Sequence, residues 1–173
     1  MQGLRLRSPN KTVSAALEHL GAVPAVLQVN EVMDAVKDGR IEGIVTNWGN
    51  PLQGFNDVMK THTDLQFYTS AFFIVMNKDK YDSLPPDVQA AIDEISGETL
   101  VAQFGPLWDK WAKPVREGAE ATGHAIVVPS PEQMAEWRQT LQPVTNRYLD
   151  QLEAAGFAEA HAAYQALRET LRP

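Results

Sequence analysis

GLRLRSPNKTVSAALEHLGAVPAVLQVN, from Gly3 to Asn30, is the stretch whose reading decides the fold. Leu4 and Leu6 alternate with Arg5 and Arg7, the two-residue period of a strand. Ser8-Pro9-Asn10 ends it, since Pro9 biases Ser8 toward an extended backbone. Val13, Leu17 and Leu20 are spaced four and three apart and share one face of a helix from about Lys11 to Leu20. Gly21 stands where a helix-terminating glycine belongs. Val23 to Val29 reads as a second strand. Asn30 is expected to cap a helix carrying Val32, Met33, Ala35 and Val36, which Gly39 stops. Ile41 to Asn47 is a third strand, ending at Trp48-Gly49-Asn50-Pro51, and a short helix is expected over Leu52 to Met59. The order βαβαβα argues for a parallel, helix-flanked sheet.

Leu65 to Asn77 is the most strand-like segment, rich in Phe, Tyr, Thr, Ile and Val. Ser83 is a plausible cap for a helix with prolines in its first turn. Val88 to Ala121 has a helical pattern, with breaks expected at Gly97, Gly105-Pro106 and Pro114. His124 to Val128 is a last short strand. Helices follow from about Pro131 to Ala155, with a kink expected at Pro143, and from Ala158 to Leu171. The count is about five strands and a mostly helical C-terminal third.

The 173 residues carry 44% hydrophobic and 21% charged residues, enough for a sizeable core and close to the globular average. The net charge is −7, and the 15 basic residues are scattered. No window therefore holds the Lys/Arg cluster that phosphate recognition needs, and nucleic acid is not an expected partner. The absence of cysteine excludes disulfides and thiolate chemistry. The longest apolar run, Ala71 to Met76, is far too short to span a bilayer.

No Walker loop, dinucleotide fingerprint or nucleophile elbow occurs, and no cofactor is expected. His19, His62, His124 and His161 lack metal-ligand spacing with one another, so no metal is expected either. His62 lies near Asp64 and is the residue to test first as a base. Trp108 and Trp111, at helical spacing, read as core of a long helix.

Several stretches together carry a resemblance. Gly3 to Asn10 resembles the signature strand of TRAP (tripartite ATP-independent periplasmic) transporter solute-binding proteins of the DctP type. Leu20-Gly21-Ala22-Val23-Pro24 looks like that family's LGAxP turn. Asn30 to Gly43 resembles its helix-then-DG segment, with Glu42 in place of the usual Asp. Phe73 to Lys78 and Tyr81 to Gln89 look like its strand and LP-helix element. The similarity runs from about residue 3 to 170 in order.

The resemblance implies a periplasmic-binding-protein-like (type II) α/β lobe with helices on both faces. It implies two lobes in the whole protein, closing on a small organic acid that passes to TRAP membrane permease subunits. By position, Arg7 resembles the family's carboxylate clamp. Independently of any family, a guanidinium offers a paired donor edge matching a carboxylate and stays charged when partly buried. The other reading of Arg7 is a surface arginine. Asn10 matches a ligand-facing position and equally reads as a helix cap. Thr46 aligns where the family often has asparagine, with Asn47 one later. Trp48 resembles a tryptophan of one branch and could stack on an acid, or pack in the core. Phe67, Tyr68 and Phe72 lie on the strand that the family runs along its cleft; alternation puts Tyr68, Ser70 and Phe72 on one face.

Residues 1–173 are accordingly expected to form a single incomplete solute-binding domain: second lobe plus C-terminal helices, without a first lobe or export signal. The family is periplasmic, and this chain as written carries no charged-then-apolar leader. An apolar face is expected where the first lobe would dock, open to that lobe or to self-association. An enzyme on the same layout, acting on a small acid, and a non-binding remnant stand as alternatives.

Overall fold

A computed structural model describes residues 1–48, 55–65, 68–69 and 72–170. In chain order these form β1 (Arg5–Ser8), α1 (Lys11–His19), β2 (Val23–Val26), a 3-10 turn (Val29–Glu31), α2 (Val32–Lys37) and β3 (Gly43–Ile44). There follow α3 (Phe55–Val58), β4 (Thr61–Thr63), α4 (Lys78–Asp82), α5 (Pro86–Ile95), α6 (Glu98–Ala121), β5 (Ala125–Val127), α7 (Pro131–Ala154) and α8 (Ala160–Thr170). They fall into two compact units, one of Met1–Thr46, Gly54–Leu65 and Ile126–Pro173, the other of Asn47–Gln53 and Gln66–Ala125.

In the first unit β1 is the central strand of a three-stranded sheet in the order β2-β1-β3. Both pairings are parallel, with Arg7 opposite Ala25 on one side and Ile44 on the other. A parallel pair requires a crossover, and helices supply it. Helix α1 packs on β1, β2 and α7. Val13 and Leu17, one turn apart, are buried, Leu17 fully. Val32 and Ala35 of α2 are fully buried, as is most of Ile41, and Val144 and Leu149 of α7 are buried too. Among the described residues, every buried apolar side chain except Ala119 belongs to this unit.

Helix α1 ends as its sequence requires. Gly21 has φ +83, and the N–H groups of Gly21 and Ala22 donate to the carbonyls of Glu18 and Leu17, both at 2.9 Å. That reversal needs a left-handed residue, which glycine adopts without a Cβ penalty. Helix α7 starts with a reciprocal cap. Ser130 Oγ accepts from Gln133 N–H at 3.3 Å, and Gln133 Oε1 accepts from Ser130 N–H at 2.9 Å. Ser130→Ala is expected to lower stability by about 1 kcal/mol, read as a drop in the urea midpoint of the helical circular dichroism signal. An unchanged midpoint would mean that this cap does not hold the helix.

Five expectations change. The 65–77 strand is not formed in its described part: Leu65, Tyr68, Thr69 and Phe72–Asn77 carry no strand pairing, and residues 66–67 and 70–71 lie outside the described residues. Strand propensity measures fit to a pleated surface and supplies no partner edge. Thr61–Thr63 pairs with β5 instead, and Asp64 N–H donates to Val127 C=O at 2.9 Å. Asn30 lies inside the 3-10 turn, which Gln28 and Glu31 cap reciprocally. Ser83 closes α4, its Oγ donating to Lys80 C=O at 2.7 Å, while Pro85 and Pro86 open α5. Helix α6 runs unbroken through Pro106 and Pro114; α7 is one helix containing Pro143, as its sequence led one to expect. A proline removes one hydrogen bond of the helix ladder, and the turns around it persist. In α6 they are reinforced by Lys113–Glu117 at 3.7 Å and Arg116–Glu120 at 3.1 Å. Trp111 is 47% exposed, so it is not core. The break at Gly97 is present, with φ +61. The second and third strands are shorter than their apolar runs, and the helix expected over Leu52 to Met59 is described only from Phe55.

Candidate functional site

The first unit gathers its polar chemistry at the carboxyl end of β1. Arg7 lies on the central strand and is 6% exposed. Its Nε donates to Leu27 C=O at 3.1 Å, just beyond β2, and one Nη donates to Val45 C=O at 3.1 Å, just beyond β3. Val45 N–H returns a bond to Arg7 C=O at 3.0 Å. Two of the five guanidinium donors thus tie together the chain segments that leave the two flanking strands. A buried cation held by carbonyl dipoles keeps its charge and loses its rotational freedom. Open α/β sheets present ligands to this end of their strands.

Ser8, the next residue, is fully buried, and its Oγ donates to Asn10 C=O at 2.7 Å. Asn10 has an extended backbone (φ −162, ψ 172) and caps α1, its Oδ1 accepting from Val13 N–H at 2.9 Å. The capping reading of Asn10 is therefore realised, and the side chain is exposed. Thr46 is half-buried and directly follows the carbonyl that Arg7 binds.

The remaining candidates belong to the second unit. Asn47 is exposed. Trp48 is half-buried and lines an open hollow of about 340 Å³ with Asp109, Ala112, Lys113, Arg116 and Glu117. Tyr68 is half-buried, and Phe72 is 76% exposed with its ring 6.0 Å from that of Trp108. Phe67 lies outside the described residues. Arg7 and Thr46 are thus brought together in one unit, and Trp48, Tyr68 and Phe72 belong to the other. A second hollow of about 270 Å³, lined by Met1, Leu20, Gln133, Glu136, Trp137 and Thr140, includes none of the candidates. His62 lies on β4 and is half-buried. Among the described residues, no group of three or more His, Asp or Glu could hold a metal ion, and no helix is long and apolar enough to cross a membrane.

Sequence reasoning did not find the acceptors of Arg7, because they are backbone carbonyls and leave no mark in side-chain identity. It also left Glu42 without a role. Glu42 Oε2 accepts from Arg5 N–H at 3.0 Å and from Arg5 Nε at 3.2 Å, pinning the start of β1 to the segment before β3. The backbone N–H of Arg5, and after it the guanidinium, hold this carboxyl below the usual carboxylate range. The stabilisation is therefore complete above the unfolded-state pKa, near 4.5, and is lost as pH falls through the lower folded-state value. Glu42→Gln is expected to lower the urea midpoint at neutral pH, and the gap from wild type should close on acidification. A gap that persists at low pH would show that the ionised carboxylate is not its source.

The sequence model described as bacterial extracellular solute-binding protein, family 7 (DctP), matches residues 1–151. The C4-dicarboxylate-binding periplasmic protein DctP of Rhodobacter capsulatus is 26% identical over 163 residues, covering 93% of this chain and 49% of that protein. A TRAP solute-binding protein from Rhodoferax ferrireducens, solved with copurified benzoate, matches with TM-score 0.81 and 22% identity over 99% of this chain and 57% of its own. A marine metagenome TRAP solute-binding protein specific for aromatic acid ligands, from an unidentified microbe, was solved with metahydroxyphenylacetate. It matches with TM-score 0.78 and 28% identity over 90% of this chain and 50% of its own. The chain thus spans about half the length of these relatives.

Proposed function

Because this chain belongs to family 7 of the bacterial extracellular solute-binding proteins, we propose that it is part of a TRAP-transporter binding subunit that captures a small organic acid. The observation that carries this reading is Arg7, buried at the carboxyl end of the central strand with its fork fixed by the Leu27 and Val45 carbonyls. A guanidinium so oriented has already lost the side-chain entropy that carboxylate binding would otherwise remove. Thr46 is the polar neighbour placed to assist. Asn47, Trp48, Tyr68 and Phe72 are the candidate ligand residues within the second unit. Asn10 acts through α1, whose amino-terminal N–H groups favour an anion.

The reading includes a second lobe contributed by the rest of the relatives' length, TRAP permease subunits as the acceptors of the ligand, a periplasmic location, and no catalysis. The lobe matters energetically. A charge-assisted hydrogen bond contributes roughly 1.5–3 kcal/mol net, whereas micromolar binding needs about −8 kcal/mol. Exclusion of water from both sides of the ligand strengthens the Arg–carboxylate pair.

The test is thermal shift of the protein at the relatives' full length against a panel of C4-dicarboxylates, sugar acids and aromatic acids. At least one acid should raise the melting temperature in proportion to the logarithm of its concentration. Failure of every acid would sink the proposal. Turnover of an acid that is lost in His62→Ala would replace it with an enzyme.

A further inference from the structure

We propose that Glu31 is a positioning residue for Arg7, acting through the single peptide group that joins Leu27 to Gln28; its role in binding rests on the reading of Arg7 as the carboxylate clamp. The carbonyl of that group, Leu27 C=O, accepts from Arg7 Nε at 3.1 Å. The amide of the same group, Gln28 N–H, donates to Glu31 Oε2 at 2.8 Å. One rigid plane is therefore gripped at both ends, by a cation on β1 and by a carboxylate at the end of the 3-10 turn.

The two carbonyls that receive Arg7 are held in different ways. Val45 is kept in place by its own N–H, which donates to Arg7 C=O at 3.0 Å. Leu27 follows the last residue of β2, where the strand no longer sets the direction of the carbonyl. Rotation of the Leu27–Gln28 plane would turn its oxygen away from Arg7 Nε, and the grip of Glu31 on the other end opposes that rotation. An N–H bonded to an anion also makes its own carbonyl a stronger acceptor, because hydrogen bonds in a chain polarise one another. Glu31 is itself fixed: its N–H donates to Gln28 C=O at 3.0 Å, and the next residue, Val32, is fully buried. Because the carboxylate reaches the fork through a peptide group, it orients the guanidinium and leaves its donors to other acceptors. An acid ligand needs a fork so oriented and still able to donate.

Two measurements on the protein at the relatives' full length test this. The first needs no ligand: nitrogen-15 NMR of the Arg7 Nε–H, whose exchange with solvent should be at least ~10-fold faster in Glu31→Ala, with far-ultraviolet circular dichroism unchanged. The second is calorimetric titration with benzoate, D-glucuronate and succinate. Whichever of these wild type binds should bind Glu31→Ala at least ~10-fold more weakly. Glu31→Gln keeps an acceptor oxygen and should recover most of that affinity. In an Arg7→Lys background Glu31→Ala should add little, since two residues acting through one contact are not additive. Glu42→Gln, which loosens the start of β1, should lower stability without moving affinity. Undiminished affinity in Glu31→Ala, or an Nε–H that exchanges no faster, overturns the proposal. So does a full further loss on top of Arg7→Lys, or an equal loss in Glu42→Gln, since either makes Glu31 a general support of the sheet. If wild type binds no acid of the panel, acid capture falls, and the Nε–H exchange rate alone decides whether Glu31 holds Arg7.

Discussion

Arg7→Ala is expected to lower the stability of the first unit by about 3–5 kcal/mol, because it strips two charge-assisted hydrogen bonds from the part-buried carbonyls of Leu27 and Val45. Domains of this size are stabilised by only about 5–15 kcal/mol in total, so this variant can leave much of the chain unfolded at ordinary temperature. Arg7→Lys separates folding from recognition. The ammonium keeps the charge, but it is a single point with no planar fork and cannot span the Leu27 and Val45 carbonyls as Arg7 does. Arg7→Lys is expected to lose about 1–2 kcal/mol of stability and to weaken carboxylate binding at least ~10-fold. Chemical denaturation gives the first number, and calorimetric titration of the full-length protein with its acid gives the second. Undiminished affinity in Arg7→Lys would remove Arg7 from the carboxylate site and leave it as a staple between strands.

Leu17→Ala is expected to lose roughly 3–4 kcal/mol. Leu17 is fully buried on a helix packed against three other elements, β1, β2 and α7, so the space it leaves cannot collapse easily. The consequence should be cooperative. The same helix carries the Asn10 cap at its start and the Gly21 reversal at its end, so loosening it also loosens the route from β1 to β2. Far-ultraviolet circular dichroism in urea measures the loss as a lower midpoint at an unchanged slope. A loss below about 1 kcal/mol would contradict the packing of α1 described here.

The legible part of the fold is where local chemistry and tertiary packing ask for the same thing. The Leu4–Arg7 alternation, the Val13–Leu17 face and Gly21 all specify structure within a few residues, and each forms as read. The parallel pairing of β1 with β2 and β3 followed from helices standing between strands. The illegible part lies where an outcome depends on a distant partner. Phe72–Asn77 has the composition of a strand, but none of the described residues presents it with an edge, while the polar Thr61–Thr63 gains one from β5. Pro106 and Pro114 read as breaks because each removes a hydrogen bond, but the long helix around them continues. Ser83 and Asn30 are good capping residues displaced by Pro85 and Gln28, whose competing turns lie only two residues away.

The candidate site divides in the same way. That an arginine on β1 could clamp a carboxylate was readable, since side-chain type fixes charge and donor geometry. How that arginine is held was not, because backbone carbonyls are common to every residue and only chain trace places two of them around one fork. By itself the sequence determined the elements of the βαβαβ core, the points where its helices end, and a chain without thiol or Walker-type phosphate chemistry. Tertiary structure alone decided which apolar segment stays exposed, which carbonyls receive Arg7, and which strand β5 accepts. Those outcomes depend on groups meeting from remote positions, and hydrogen bonds and burial are satisfied only after the chain has brought them together.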